Sequence, residues 1–151
     1  MATVNRSGLA GLSPAILHDL FALRQAVFVV EQNCVYPDLD GRDVEPETEH
    51  VWTADQQGPT AYLRVLTEPD GSARIGRVCT RIDARGAGLA AALLTDVLDR
   101  NPGRVVVLEA QEHLGGWYGR FGFTVTGPGY LEDGIPHLPM RREPIVATPG
   151  R

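Results

Sequence analysis

The sequence predicts an α/β (α+β) domain built on a mixed, mostly antiparallel sheet, and three observations lead there. Three short β-like runs, His50 to Ala54, Thr60 to Thr67 and Ala73 to Ile82, are separated by Gln56-Gln57-Gly58-Pro59 and Glu68-Pro69-Asp70-Gly71, the pattern of an antiparallel meander. The third run feeds into Arg85-Gly86-Ala87-Gly88-Leu89-Ala90, a glycine turn that opens a helix-like run from Leu89 to Leu98. Beyond that helix, Val105-Val106-Val107-Leu108 is apolar on consecutive positions, as expected of a central strand covered on both faces.

In chain order, Thr3 to Leu9 is a candidate edge strand. Ser13-Pro14 reads as an N-cap followed by proline at the first helical position. Ile16, Leu20, Leu23, Val27 and Val30 follow at spacings of four and three and line one helix face, widened by Phe21 and Phe28. That helix is expected to pack on the sheet. Between Asp38 and Glu49 the chain carries Asp38, Asp40, Asp43, Glu45, Glu47 and Glu49, with Arg42 as the opposing charge. Asp40-Gly41 and Pro46 mark a loop, which is either a solvated surface or an acidic rim that attracts a cationic acceptor.

After the meander, Leu89, Leu93, Val97 and Leu98 share one side of the next helix, and Asn101-Pro102-Gly103 ends it. Leu114, Trp117, Tyr118 and Phe121, at i, i+3, i+4 and i+7, predict a further helix. Two last strands are expected near Phe123 to Thr126 and Ile135 to Arg142. One domain over residues 1–142 accounts for the chain, and 143–151 reads as a flexible tail.

Composition removes several function classes. The net charge of −5 leaves no basic stripe for nucleic acid. All fourteen cationic side chains are arginine, so there is no Walker lysine, Schiff-base lysine or lysine nucleophile. Cys34 and Cys79 lack metal-ligand spacing and HExxH is absent, so no metal is expected. Nothing reaches membrane-spanning length and no leader pattern begins the chain, which makes a cytoplasmic protein without membrane partners the expectation. Cys79 reads as a small buried hydrophobe in its strand. For Cys34 no His or Asp partner follows from spacing, which favours a structural or acceptor-pocket role over a nucleophile.

The glycine turn carries the chemistry. Glycines at two of its positions let the backbone approach a ligand closely, and the N–H groups left unpaired at the start of a helix converge on a phosphate. Arg85 adds a full positive charge. Glycines also make ordinary strand–turn–helix junctions, so the turn alone does not decide the matter.

In order along the chain, Val78-Cys79-Thr80 with Arg85-Gly86-Ala87-Gly88-Leu89-Ala90, the apolar strand Val105 to Gln111, and Tyr118-Gly119-Arg120-Phe121-Gly122-Phe123 resemble the GCN5-related N-acetyltransferase (GNAT) superfamily. More narrowly, Val27-Phe28-Val29-Val30-Glu31-Gln32-Asn33-Cys34, Asp38-Leu39-Asp40-Gly41 and Glu132-Asp133-Gly134-Ile135-Pro136-His137 look like its ElaA group. The resemblance spans roughly residues 12 to 142 and implies the acyl-CoA N-acyltransferase fold. In that fold the mixed, mostly antiparallel sheet has helices on both faces, and here it would splay after Ile82 to admit acetyl-CoA.

The same resemblance implies transfer of an acetyl group from acetyl-CoA to a small-molecule or peptidyl amine by direct attack in a ternary complex. The backbone of Val78, Cys79 and Thr80 would pair with the pantetheine arm, and a strand N–H near Cys79 would polarise the thioester carbonyl. The N–H groups of Gly86, Ala87, Gly88, Leu89, Ala90 and Ala91, beside Arg85, would hold the pyrophosphate, and Gln111 would hold the pantetheine by its amide. Tyr118 is the candidate general acid for the departing thiolate; its alternative is a core aromatic beside Trp117 and Phe121. An alkylammonium has a pKa of about 10, so a base is needed. Glu31, Glu109, His50, His113 and His137 are chemically able. His50 begins a strand near the acceptor side. Glu109 lies on the central strand, either as a buried base or paired with an arginine. The last strands are candidate homodimer edges. The alternative function is a non-catalytic module that senses acyl-CoA through the same turn.

Overall fold

The computed structural model describes residues 2–145. Strands β1 (Asn5–Ser7), β2 (Glu49–Asp55), β3 (Gly58–Thr67), β4 (Ala73–Thr80), β5 (Val106–Gln111), β6 (Thr124–Val125), β7 (Tyr130–Glu132) and β8 (Ile135–Arg142) form one sheet. Their order is β1-β2-β3-β4-β5-β8-β6, and β7 also pairs with β8. The meander β2-β3-β4 is antiparallel, as its turn residues require, and β4–β5 is the parallel pair, reached through a helical crossover. The edge strand expected near the N-terminus is β1. β7 is a strand beyond those expected. It pairs with β8 across Asp133-Gly134, with φ of +51° and +79°, the left-handed pair that an Asp-Gly hairpin turn demands.

Three features differ from expectation. The third meander strand ends at Thr80, not Ile82; Ile82–Ala84 is a 3₁₀ turn and Ile82 is 71% exposed. The splay begins earlier than Ile82, because β4 pairs with β5 only through Ala73–Ile75 against Val106–Leu108. A bulge is the cause. The β3–β4 register shifts between Tyr62 and Arg64, and Arg77 sits there at φ +55°, so β4 bends away from β5. Lastly, β5 is not covered on both faces. Val106, Leu108 and Ala110 are buried while Glu109 between them is exposed, which is half-covered alternation.

Helices cover both faces of the sheet. On one side, α2 (Leu89–Arg100) and the short α3 (Gly115–Gly119) enclose Val51, Leu63, Ile75, Leu93, Val97, Leu108, Tyr118 and Phe123 in the larger core. On the other, α1 (Pro14–Arg24) lays Leu20 and Leu23, and the segment that follows it Val27, on Trp52, Tyr62 and Cys79. Ser13 caps α1, its Oγ accepting from the Ile16 N–H at 3.2 Å, and Pro14 occupies the first turn. After Arg24 the helix widens into a π segment, Gln25–Glu31. That change of period explains why the expected face failed at its end: Val30 is 68% exposed. Ile16, at the first turn, is also exposed. Among the described residues no helix is long and apolar enough to cross a membrane. Most of the tail expected at 143–151 lies outside the described residues; within them, the Ile145 N–H donates to the Pro102 carbonyl at 2.7 Å.

The acidic stretch is neither a solvated loop nor a free rim. Asp38 and Asp43 are buried, and Arg24 on α1 donates to both: Nε to Asp38 Oδ2 at 3.0 Å and Nη1 to Asp43 Oδ1 at 2.7 Å. Arg64 on β3 donates to Asp40 and Asp43, and Arg77 at the bulge pairs with Asp38 at 2.9 Å. Further out, Glu45 pairs with Arg42 and Glu49 with Arg100. Five of the six carboxylates are matched by an arginine, and Glu47, exposed and without an ion pair among the described residues, is too little to make an acceptor-attracting rim. A local charge count could not see this, since Arg24, Arg64, Arg77 and Arg100 come from four distant elements.

Candidate active site

The gap between β4 and β5 beyond the Ile75–Leu108 pair is the candidate site. Its β4 wall is set by strand alternation. The Arg81 N–H donates to the Thr60 carbonyl at 2.7 Å, and Tyr62 opposes Cys79 two residues on, so the main-chain groups of Arg81 and Cys79 face β3. Those of Val78 and Thr80 therefore face the gap. Of the three backbone positions expected to meet pantetheine, Val78 and Thr80 are presented and Cys79 is turned away. The Cys79 thiol is also removed from chemistry: it packs under α1, and burial pushes its pKa up to about 12.

The glycine turn begins at the far end of β4. Gly86 and Gly88 have φ of +86° and +74°, and a Cβ built on either meets nothing within 4 Å, so both open onto free space. Gly88 is the N-cap of α2 and offers no side chain; the first turn holds no acid. The first intrahelical bond is Ala92 N–H to Gly88 C=O at 3.0 Å. The N–H groups of Leu89, Ala90 and Ala91 thus have no helical acceptor, and with the helix dipole they make a suitable setting for an anion beside the exposed Gly86, Ala87 and Gly88. These features fit a phosphate-bearing cosubstrate. Arg85 lies at this entrance: its Nη1 donates to Glu31 Oε2 at 2.7 Å and its Nε to the Thr80 carbonyl at 3.0 Å.

Tyr118 lies in the core on the α2 face of the sheet, in the cluster that includes Ile75, Leu108 and Ala110. It stacks edge-on with Trp117 and Phe123 at centroid distances of 4.9 and 6.1 Å, and its hydroxyl has no hydrogen-bond partner among the described residues. Burial raises its pKa to about 12, so it carries its proton at neutral pH. The opposite face belongs to Glu109, the first β5 residue past the last parallel pair. Glu109 is exposed, not buried. Its Oε2 accepts from Arg74 Nη1 at 2.9 Å and its Oε1 from the Tyr130 hydroxyl at 2.6 Å. Arginine pairing was one of its two expected states. Arg74 and Tyr130 escaped the sequence reading; no local signal ties β4 and β7 to a residue on β5.

The other base candidates are dispersed. His50 is fully buried beneath α1; its Nε2–H donates to the Asp43 carbonyl at 3.2 Å, and its Nδ1 accepts from the Tyr62 hydroxyl at 2.7 Å. Burial holds its pKa below the ordinary value, and both ring nitrogens are occupied, so it offers no nitrogen to a substrate. Glu31 is tied to Arg85, and His113 is exposed after β5. His137 stacks on Tyr130 and donates from Nδ1 to the Ile135 carbonyl at 2.7 Å. At the rim, the Gln111 Nε2 donates to Gln32 Oε1 at 3.3 Å, joining the end of β5 to the end of the π segment. The Cys34 thiol contacts the Asp133 carbonyl at 3.5 Å, which joins the same segment to the β7–β8 turn.

Residues 24–144 match the acetyltransferase (GNAT) domain model. A UPF0039 protein of Mycobacterium tuberculosis is 44% identical over 135 residues, 87% of this chain and 86% of the relative. Protein ElaA of Escherichia coli K12 is 41% identical over 144 residues, 90% and 93% of the two chains. The crystal structure of Escherichia coli ElaA superposes with a TM-score of 0.88 at 37% identity, covering 95% of this chain and all of that one. An acyl-CoA N-acyltransferase from Pseudomonas aeruginosa gives 0.88 at 39% identity, covering 94% and 99%. The fold is the acyl-CoA N-acyltransferase fold, acyl-CoA is the cosubstrate class, and the chain belongs to the GNAT acetyltransferase family, in its ElaA-like group.

Proposed function

We propose that the protein moves an acetyl group from acetyl-CoA to a primary amine by direct attack while both substrates are bound. The observation that supports this reading is that the sheet parts just past the Ile75–Leu108 pair, with Glu109 exposed there on one face and Tyr118 in the core cluster of Ile75 and Leu108 on the other. The thioester lies in the gap, the amine arrives on the Glu109 face, and the thiolate leaves toward Tyr118. The amine lone pair forms the new C–N bond and the C–S bond breaks. The ammonium proton passes to the Glu109 carboxylate, directly or through water, and the Tyr118 hydroxyl protonates the sulfur. Val78 or Thr80 supplies the gap-facing N–H that polarises the carbonyl, and the N-terminal amides of α2 hold the phosphates. Arg74 and Tyr130 fix Glu109 in place. Rate comes from holding the two substrates together, with no covalent enzyme intermediate.

The test is free-thiol release from acetyl-CoA across a panel of amines, with Tyr118→Phe and Glu109→Gln alongside. Turnover that falls roughly a hundredfold or more in either variant, with CoA affinity retained, supports the assignment. CoA binding by the wild type without turnover on any amine favours the sensor module instead.

A further inference from the structure

Arg85 stands beside the gap, where its side chain makes two contacts, one to the Thr80 carbonyl and one to Glu31. Its backbone is extended, at φ −73° and ψ 153°, between the Ile82–Ala84 turn and Gly86, and the side chain folds back along β4. The Thr80 carbonyl that takes its Nε–H is one of the groups β4 presents to the gap. The two Nη groups grip both oxygens of Glu31, the last residue of the π segment. Two elements 54 residues apart in sequence thus meet at the mouth of the anion site.

We propose that Glu31 and Arg85 form a latch, in which Glu31 occupies the guanidinium until the phosphates of acyl-CoA replace it, so that Glu31 sets cosubstrate affinity by competing for Arg85. This rests on the acyl-CoA reading of the gap. The energetics suit an exchange. Both side chains are 39% exposed, and an ion pair so accessible to water holds its partners by no more than roughly fivefold. A phosphate brings more charge than a carboxylate and meets the free amides of Leu89, Ala90 and Ala91 as well, so it wins the guanidinium. The exchange also frees the Thr80 carbonyl for the ligand. The π segment is what aims Glu31 here, since its wider turn changes the direction in which the last residue points.

The experiment is calorimetric titration with CoA of the wild type, Glu31→Gln, Arg85→Gln and the double variant at low salt, with thermal midpoints confirming the fold. The latch predicts that Glu31→Gln binds CoA roughly two- to fivefold tighter, that Arg85→Gln binds more weakly, and that Glu31→Gln has no effect once Arg85 is gone. Unchanged or weaker binding in Glu31→Gln overturns it, because Glu31 would then be orienting Arg85 for the ligand. Tighter binding that persists without Arg85 also overturns it, since simple repulsion of the phosphates would explain the gain. A wild type that does not bind CoA removes the acyl-CoA reading, and the latch with it; the wild-type titration separates that failure from the latch's own.

Discussion

Arg24 and Asp43 are joined by two hydrogen bonds, Nη1 to Oδ1 at 2.7 Å and Nη2 to Oδ2 at 3.2 Å, at a place where Arg24 has no exposure to solvent. The same guanidinium holds the side chain and the carbonyl of Asp38. Substituting Arg24→Met leaves two buried carboxylates short of their main cation. The expected cost is about 3–5 kcal/mol, read as a lower midpoint in urea with an unchanged slope. A cost under about 1 kcal/mol would mean that water or Arg77 takes over the vacancy.

Acid should weaken the protein in two stages. Burial holds the His50 pKa below its ordinary value, so below about pH 6.5 the unfolded chain binds a proton that the folded one refuses. Stability is therefore lost as pH falls from that point. Hydrogen bonds from Arg64 hold the Asp40 carboxyl well below the usual carboxylate range, against the opposing effect of burial. Its contribution is complete above about pH 4 and is lost as pH falls further, through the folded value. Unfolding free energies at pH 7, 5.5 and 3.5 check both stages. His50→Gln should remove most of the first decline and Asp40→Asn most of the second.

The contrast between Gly88 and Asp38 shows what could be read from the sequence. Gly88 was legible because a strand, a glycine turn and a helix are local features, and its left-handed φ is a local need. So were the meander and the edge strand. Asp38 was not legible as a clamp residue, because Arg24, Arg64 and Arg77 reach its loop from α1, β3 and the β4 bulge, and only the tertiary fold brings them together. The bulge at Arg77 was hidden for a different reason: no glycine or asparagine marks its positive φ. Val30 failed because a constant helical period was assumed across a π segment.

Gly88→Ala should separate backbone strain from ligand exclusion. A left-handed alanine costs about 1–2 kcal/mol, a drop of roughly 2–8 °C in the thermal midpoint. Its methyl also enters the open space where the α2 amides would hold phosphate, so CoA affinity should fall at least roughly tenfold. Gly41 is the control. At φ +84°, also with open space around its Cβ, Gly41→Ala should carry similar strain and leave CoA affinity intact. Equal affinity losses in the two variants would trace the effect to strain alone.

Thiol labelling should report burial directly. Cys79 is packed under α1, and burial raises its pKa to about 12, so a disulfide reagent at pH 8 should leave it untouched until the protein unfolds. In Cys34→Ser, native labelling should be negligible and should rise to one equivalent in urea. Rapid labelling in the native state would mean that α1 opens from the sheet far more often than global unfolding allows.

Arg77 poses a question that magnitudes can settle. Its φ of +55° favours glycine, and replacing it with glycine relieves about 1–2 kcal/mol of left-handed strain. The same change removes a guanidinium that pairs with Asp38 at 2.9 Å and donates to its carbonyl at 3.0 Å. Asp38 is buried, so the loss is a partner of a desolvated charge, worth about 3–5 kcal/mol if nothing else served it; Arg24 also serves it, which makes a smaller cost the expectation. Arg77→Ala loses the pair and keeps the strain, whereas Arg77→Gly loses the pair and sheds it. The glycine variant should therefore be the more stable of the two by about 1 kcal/mol, with both below the wild type in urea unfolding. If the two variants are equal, the bulge stores no strain. A glycine variant more stable than the wild type would mean that the clamp on Asp38 contributes less than the strain it accompanies.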